Sequence, residues 1–210
     1  MNAWEMFCKG GIVMYPLAFF SLIGLTIILE RIWCFLRARI NKPRFIDKAT
    51  GLISRSDFEG VLELSEATKG PLAEVITAGI REYKAGSTIE EITHAIERTG
   101  SGKLQNLGTN LSILNTIANV SPLLGLLGTV AGMVKCFMQI ERLGGRVDVS
   151  LLASGIWEAL LTTVFGLTIA IPFLLFYSYF MGRIDRLEIR VTDISEDLLA
   201  IIKKGKKDET

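Results

Sequence analysis

Residues 156–172 read IWEALLTTVFGLTIAIP, and this stretch decides the fold. It lies in an apolar run from about Val149 to Met181 that holds a single acid, Glu158. Roughly 20 mostly apolar residues suffice to cross a bilayer as a helix. A carboxylate at the centre of such a span costs about 2.5 kcal/mol or more. Acids placed there face a bundle interior or water, and they mark functional sites. The stretch therefore reads as a membrane helix carrying a protonatable group into the hydrocarbon layer.

A helical wheel sorts this span into two faces. With Glu158 at zero, Gly155, Ala159, Thr162, Thr163, Gly166 and Ala170 fall between roughly 40° and 140°. Leu160, Leu161, Val164, Leu167 and Ile171 fall between roughly 180° and 300°. The small, polar face suits close helix packing or a narrow polar path, and the bulky face suits lipid or an apolar neighbour. Thr168 lies on the bulky face, where its hydroxyl can bond its own i−4 carbonyl. Pro172 is a candidate kink.

Working outward, a second span covers about Ile117 to Ile140 and divides the same way. Ser121, Pro122, Gly128, Thr129, Gly132 and Cys136 lie within about 60° of Gly125. Leu123, Leu127, Val130 and Val134 lie opposite. Gly128 and Gly132 form a GxxxG pattern, which lets two helix backbones approach. Pro122 removes a backbone donor and is expected to kink the helix near its inner end. Measured from their outer ends, Thr129 sits roughly 15 Å deep, Glu158 roughly 12 Å and Thr163 nearly ~20 Å, all at middle depth. A first span runs from about Ile12 to Phe35, with Arg31 and Trp33 suited to an interface. The N-terminus lacks a basic n-region and an A-x-A pattern, so the first span reads as a retained anchor.

Lys and Arg orient the chain. The segment from Arg37 to Lys103 holds eleven and the tail from Arg183 to Lys207 holds seven, against Lys9 at the N-terminus and Arg142 and Arg146 between the last two spans. Positive residues mark the cytoplasmic side. The expected order is an outside segment 1–10, a membrane helix 11–36, a cytoplasmic helical loop 37–110, a membrane helix 111–140, an outside link 141–148, a membrane helix 149–181 and a cytoplasmic helical tail 182–210. Ser56-Asp57-Phe58-Glu59 and Thr88-Ile89-Glu90-Glu91 fit capping boxes. One continuous helix is predicted from about Thr88 through the second span, with Gly100, Gly102 and Gly108 as candidate bends. Ile184, Leu187, Val191, Ile194 and Leu198 continue the third span as an amphipathic helix, with Lys203 to Thr210 disordered.

The remaining features exclude other classes. Net charge is +1, which points to neither nucleic acid nor an acidic substrate. There is no P-loop, nucleophile constellation or metal motif, and no enzyme, cofactor or metal is expected. Cys8, Cys34 and Cys136 lie far apart and read as small buried thiols. His94 reads as a solvated residue of a cytoplasmic helix. Lys135, near the outer end of the second span, reads as a snorkelling side chain. Glu158 alone cannot carry an ion across the membrane, so a path would need other groups, water or another subunit. The residues leave two readings open, a protonatable relay and a neutral acid that only ties a membrane scaffold together.

SPLLGLLGTVAGM (121–133) and IWEALLTTVFGLTIAIP (156–172) resemble the MotA/TolQ/ExbB proton-channel family. GGIVMYPL (10–17) and LERIW (29–33) are similar to its Exb/Tol branch. The resemblance covers nearly the whole chain. Three spans argue against the flagellar MotA type, which has four. The resemblance implies an all-α membrane protein whose three-span subunits form a homopentamer around the single-span helices of an ExbD- or TolR-like dimer. That partner would supply a second carboxylate, an aspartate. It further implies a proton path through Glu158, Thr129 and Thr163, with Thr162 beside Glu158, and sodium as the alternative ion. Gly125, Gly128, Gly132, Gly155 and Gly166 are the expected packing residues. The implied role is to convert proton-motive force into work at the cell envelope, such as energising TonB-dependent transport from a bacterial inner membrane through a TonB- or TolA-like protein. TolQ-like and gliding-type roles share these motifs.

Overall fold

The computed structural model of the chain describes residues 10–37, 43–142 and 149–208. Among them are seven helices and no strand: α1 Met14–Arg37, α2 Pro43–Ile53, α3 Phe58–Glu66, α4 Pro71–Lys84, α5 Ile89–Gly108, α6 Leu111–Arg142 and α7 Val149–Asp208. Three stretches are long and apolar enough to cross a membrane: Met14–Leu36, Ile89–Arg142 and Leu152–Lys204. The all-helical, three-span expectation holds. The N-terminal segment 1–9, most of the 141–148 link, and Arg39 and Lys42 among the orienting charges lie outside the described residues.

The chain divides into two compact units. The first takes residues 1–29 and 110–179, so it holds most of α1, all of α6 and the first half of α7. Its interior combines a line of small residues between α6 and α7 with buried large ones such as Leu17, Leu111, Leu114 and Phe173. Val13, Met14 and Leu17 pack on Leu124, Phe165 and Ile169. A Cβ on Gly24 would run into the Phe173 ring, so α1 crosses α7 closely at that glycine. Large apolar side chains point outward. Among the described residues, every exposed large hydrophobic belongs to this unit except Trp33, Leu36 and Ile189.

The second unit takes residues 30–109 and 180–210. Its helices bury one apolar stripe each, in the manner of a water-soluble bundle. Ile53, Val61, Ile76, Ile80, Ile92, Leu187, Leu198 and Ile202 are essentially inaccessible. The predicted stripe Ile184, Leu187, Val191, Ile194 and Leu198 is buried throughout. The α4, α5 and α7 helices converge where Gly79 faces Ile96 and Leu198. Thr88 and Glu91 form the predicted reciprocal capping box at the start of α5.

Four local expectations are corrected. The helix predicted from Thr88 through the second span is broken at Thr109 and Asn110, not bent at a glycine. Asn110 takes φ +63°, which asparagine tolerates better than most residues. The break is stabilised by Arg31, which is buried and not an interface residue. Its Nη1 donates to the carbonyls of Asn106 (3.0 Å) and Leu107 (3.1 Å), which lack helical partners at the end of α5. The α3 cap is Asp57, whose Oδ1 accepts from the Gly60 amide at 3.0 Å; Ser56 precedes it at φ +57° and makes no box. Finally, α7 continues to Asp208 where the tail from Lys203 was expected to be disordered; residues 209–210 lie outside the described residues.

Candidate functional site

The site lies on the seam between α6 and the first half of α7, and glycines set its width. A Cβ on Gly125 would sit 3.0 Å from the Thr162 carbonyl oxygen and 3.0 Å from the Thr163 Cα. A Cβ on Gly166 would sit 2.6 Å from the Ser121 carbonyl oxygen. Gly128 faces the Thr162 side chain, Gly132 faces Ala159 at 3.1 Å, and Gly155 faces Cys136 at 3.1 Å. The GxxxG pair thus meets a helix of the same chain. Backbones this close leave no room for larger residues, which is the contact that small-xxx-small patterns permit.

Hydroxyls stitch the seam. Thr163 Oγ1 donates to the Gly125 carbonyl at 3.1 Å. Thr162 Oγ1 lies 3.3 Å from the same oxygen and 2.7 Å from the Ala159 carbonyl of its own helix. Ser121 Oγ donates to the Ile117 carbonyl at 2.7 Å, one residue before Pro122. Pro122 and Pro172 both sit inside unbroken helices. Thr168 bonds the Val164 carbonyl at 2.7 Å, the i−4 bond expected for it. Leu161 departs from the wheel: it is buried, while Leu160, Val164, Leu167 and Ile171 are exposed.

Glu158 lies beside this seam, one helical turn before Thr162 in α7. Its carboxylate oxygen Oε1 accepts from Lys135 Nζ at 3.0 Å, with the Glu158 side chain 28% exposed and the lysine 61%. The first turn of the chain described here covers the other side. Gly11 has φ +69°, and a Cβ there would run into the same Oε1. Only glycine takes that conformation readily and leaves that space.

The structure therefore brings together Glu158, Lys135 and Gly11 at one end, and Thr162, Thr163 and Gly125 further along. Thr129 is not joined to either group within the chain: its hydroxyl donates to the Leu126 carbonyl at 2.7 Å. Lys135, expected to snorkel, instead pairs with Glu158, and Gly11 carried no expectation at this site. A signal existed for Lys135, which falls roughly 80° from Gly125 on the wheel, just beyond the small face. Among the described residues, no group of three His, Cys, Asp or Glu side chains is placed to hold a metal. Cys136 is buried and Cys34 half-buried, both as free thiols; Cys8 lies outside the described residues.

Residues 67–193 match the MotA/TolQ/ExbB proton channel family. The chain is 34% identical over 185 residues to a protein named as an ExbB homolog in Methanothermobacter thermautotrophicus, covering 86% of this chain and 63% of that one. It is 32% identical over 173 residues to a biopolymer transport protein ExbB-like 3 of Synechocystis, covering 81% of each. It is 27% identical over 211 residues to the Tol-Pal system protein TolQ of Haemophilus influenzae, covering 94% of this chain and 89% of TolQ. The chain thus spans somewhat less than two thirds of the Methanothermobacter protein's length. A family match over more than half of the sequence, together with relatives above 30% identity, makes this chain a multi-pass membrane protein of the MotA/TolQ/ExbB proton channel family, in its ExbB-like branch.

Proposed function

We propose that this chain is the ion-conducting subunit of a membrane motor of the ExbB type, and that protons moving through Glu158 drive it. The observation that carries the reading is the carboxylate itself, set beside a seam of small residues between two apolar helices. Such a group is expensive in a membrane and is kept where it handles ions. The outward-facing bulky residues of α6 and α7 suit lipid and neighbouring copies in a homopentamer. An ExbD- or TolR-like single-span dimer in the central pore would provide the second carboxylate that one acid per chain requires. Thr129, Thr162 and Thr163 would offer hydroxyl oxygens along the path. The excess of Lys and Arg in 37–103 and 183–207 supports an inner-membrane orientation with the N-terminus outside and the second unit in the cytoplasm. The output would be mechanical work at the cell envelope, as in TonB-dependent transport.

The test is proton uptake by vesicles containing the chain and its single-span partner. Glu158→Gln and Glu158→Ala are expected to abolish uptake while the complex still assembles. Full uptake by both variants would overturn the reading. A TolQ-like output is a second reading, favoured by the match to TolQ over nearly its whole length. It shares the ion step and differs in the protein that is moved. A non-conducting scaffold instead predicts that Glu158→Gln leaves the envelope function intact.

A further inference from the structure

The motifs and the small faces leave the ion itself open between proton and sodium, because a carboxylate with nearby hydroxyls could ligate either. The geometry at Glu158 bears on that choice. Its Oε1 has two close neighbours, Lys135 Nζ at 3.0 Å from α6 and the Gly11 backbone from the first turn of the chain described here. That turn leads into a cluster in which Val13, Met14 and Leu17 pack on Leu124, Phe165 and Ile169. Residues 10–13 carry no charged side chain, and among the described residues the charge paired with the carboxylate is the ammonium of Lys135.

We propose that Lys135 is the ion-selectivity determinant of this site: its ammonium takes the place on Glu158 Oε1 that a sodium ion would need. This rests on the conduction reading and deepens it. A sodium ion binds a carboxylate only by direct contact with its oxygens. Here it would have to displace an ammonium or sit beside one, and like charges at that distance repel strongly in a low-dielectric layer. A proton has no such requirement. It bonds to a carboxylate oxygen, the charge on Glu158 is cancelled, and the hydrogen bond from Lys135 opens. The ammonium keeps its three protons and swings on its flexible stem toward the polar boundary. When the proton leaves, the ion pair reforms. Lys135 is thus a positioning residue that acts through Glu158, and Gly11 limits the carboxylate to the side where the ammonium reaches it.

The test uses carbodiimide, which adds to a protonated carboxyl, on the full chain in lipid bilayers. Labelling of Glu158 is read by mass spectrometry in sodium and in choline salts, with Glu158→Gln as the unlabelled control. The wild-type chain is expected to label at the same rate in both salts. Lys135→Gln is expected to label several-fold more slowly in sodium, because sodium now occupies the vacated place. Lys135→Arg should restore indifference to sodium, which a merely structural lysine would not predict. Sodium protection of the wild-type chain, or indifference in Lys135→Gln, would overturn the proposal. In vesicles with the partner, sodium should inhibit proton uptake several-fold in Lys135→Gln and not in wild type. If wild type conducts nothing, the conduction reading fails, while the labelling experiment still decides whether Lys135 excludes sodium.

Discussion

The two units of this chain are packed by opposite chemistry. In the unit of residues 30–109 and 180–210, Ile, Leu and Val fill the interior, with Arg31 as a buried charge among the described residues. In the unit of residues 1–29 and 110–179, Gly, Ala, Ser and Thr fill the α6–α7 seam and Leu, Val and Phe face outward. The physical reason is the surrounding solvent. In water, burying an Ile or Leu side chain contributes about 1.5–3 kcal/mol, so bulky residues go inside. In lipid the same side chain gains almost nothing by moving from tails to protein, and close backbone contact and interhelical hydrogen bonds take over. The comparison also explains where an acid can be kept. Beside that seam, Glu158 has Lys135 and the Gly11 backbone at close range.

Three substitutions would break or sharpen this contrast. Gly166→Leu should be the most damaging, because even a Cβ there meets the Ser121 carbonyl oxygen at 2.6 Å and backbone cannot yield. Overpacking typically costs about 1–3 kcal/mol, and a backbone clash of this kind should exceed that range and prevent a stable folded chain. Yield and thermal stability in detergent check it; a wild-type melting curve would show that the seam is looser than described. Ile80→Ala, in the other unit, removes a fully buried side chain and should cost about 2–5 kcal/mol. The readout is local hydrogen exchange across α4 and α5, with protection unchanged in α6. Loss of protection in both units alike would erase the distinction between them. Thr162→Val keeps the shape and deletes the hydroxyl that reaches Gly125 and Ala159. Interhelical hydrogen bonds in membranes average about 0.6 kcal/mol, so its effect on stability should be small. A loss as large as that of Ile80→Ala would mean that polar contacts carry more of the seam than packing does.

Some of this was legible in the sequence. Apolar runs of about 20 residues placed the spans, and the 3.6-residue period sorted their faces. It placed Gly125, Gly128, Gly132, Thr162 and Gly166 on one face, and all of them are buried. The Thr88 capping box was legible because it involves four consecutive residues. Leu161 was misplaced because a wheel treats one helix alone and does not show which positions packing covers. Gly108, Thr109 and Asn110 are weak helix formers and a candidate stop, but the sequence alone does not separate a bend at Gly108 from a full break at Asn110. Arg31, whose side chain bonds the last carbonyls of α5, lies 75 positions away from Asn106 in the chain.

The sequence by itself determined the three apolar spans, their small and bulky faces, the charge asymmetry and the lone acid in the third span. Each of these is a local property, set by residue type and helical spacing. Only the tertiary structure decided what touches that acid. Lys135 is 23 residues from Glu158, and Gly11 is far more distant, so their meeting depends on how α1, α6 and α7 pack. A lysine that the sequence assigns to the headgroup boundary becomes the carboxylate's ion-pair partner because the glycine seam draws α6 and α7 together along their length.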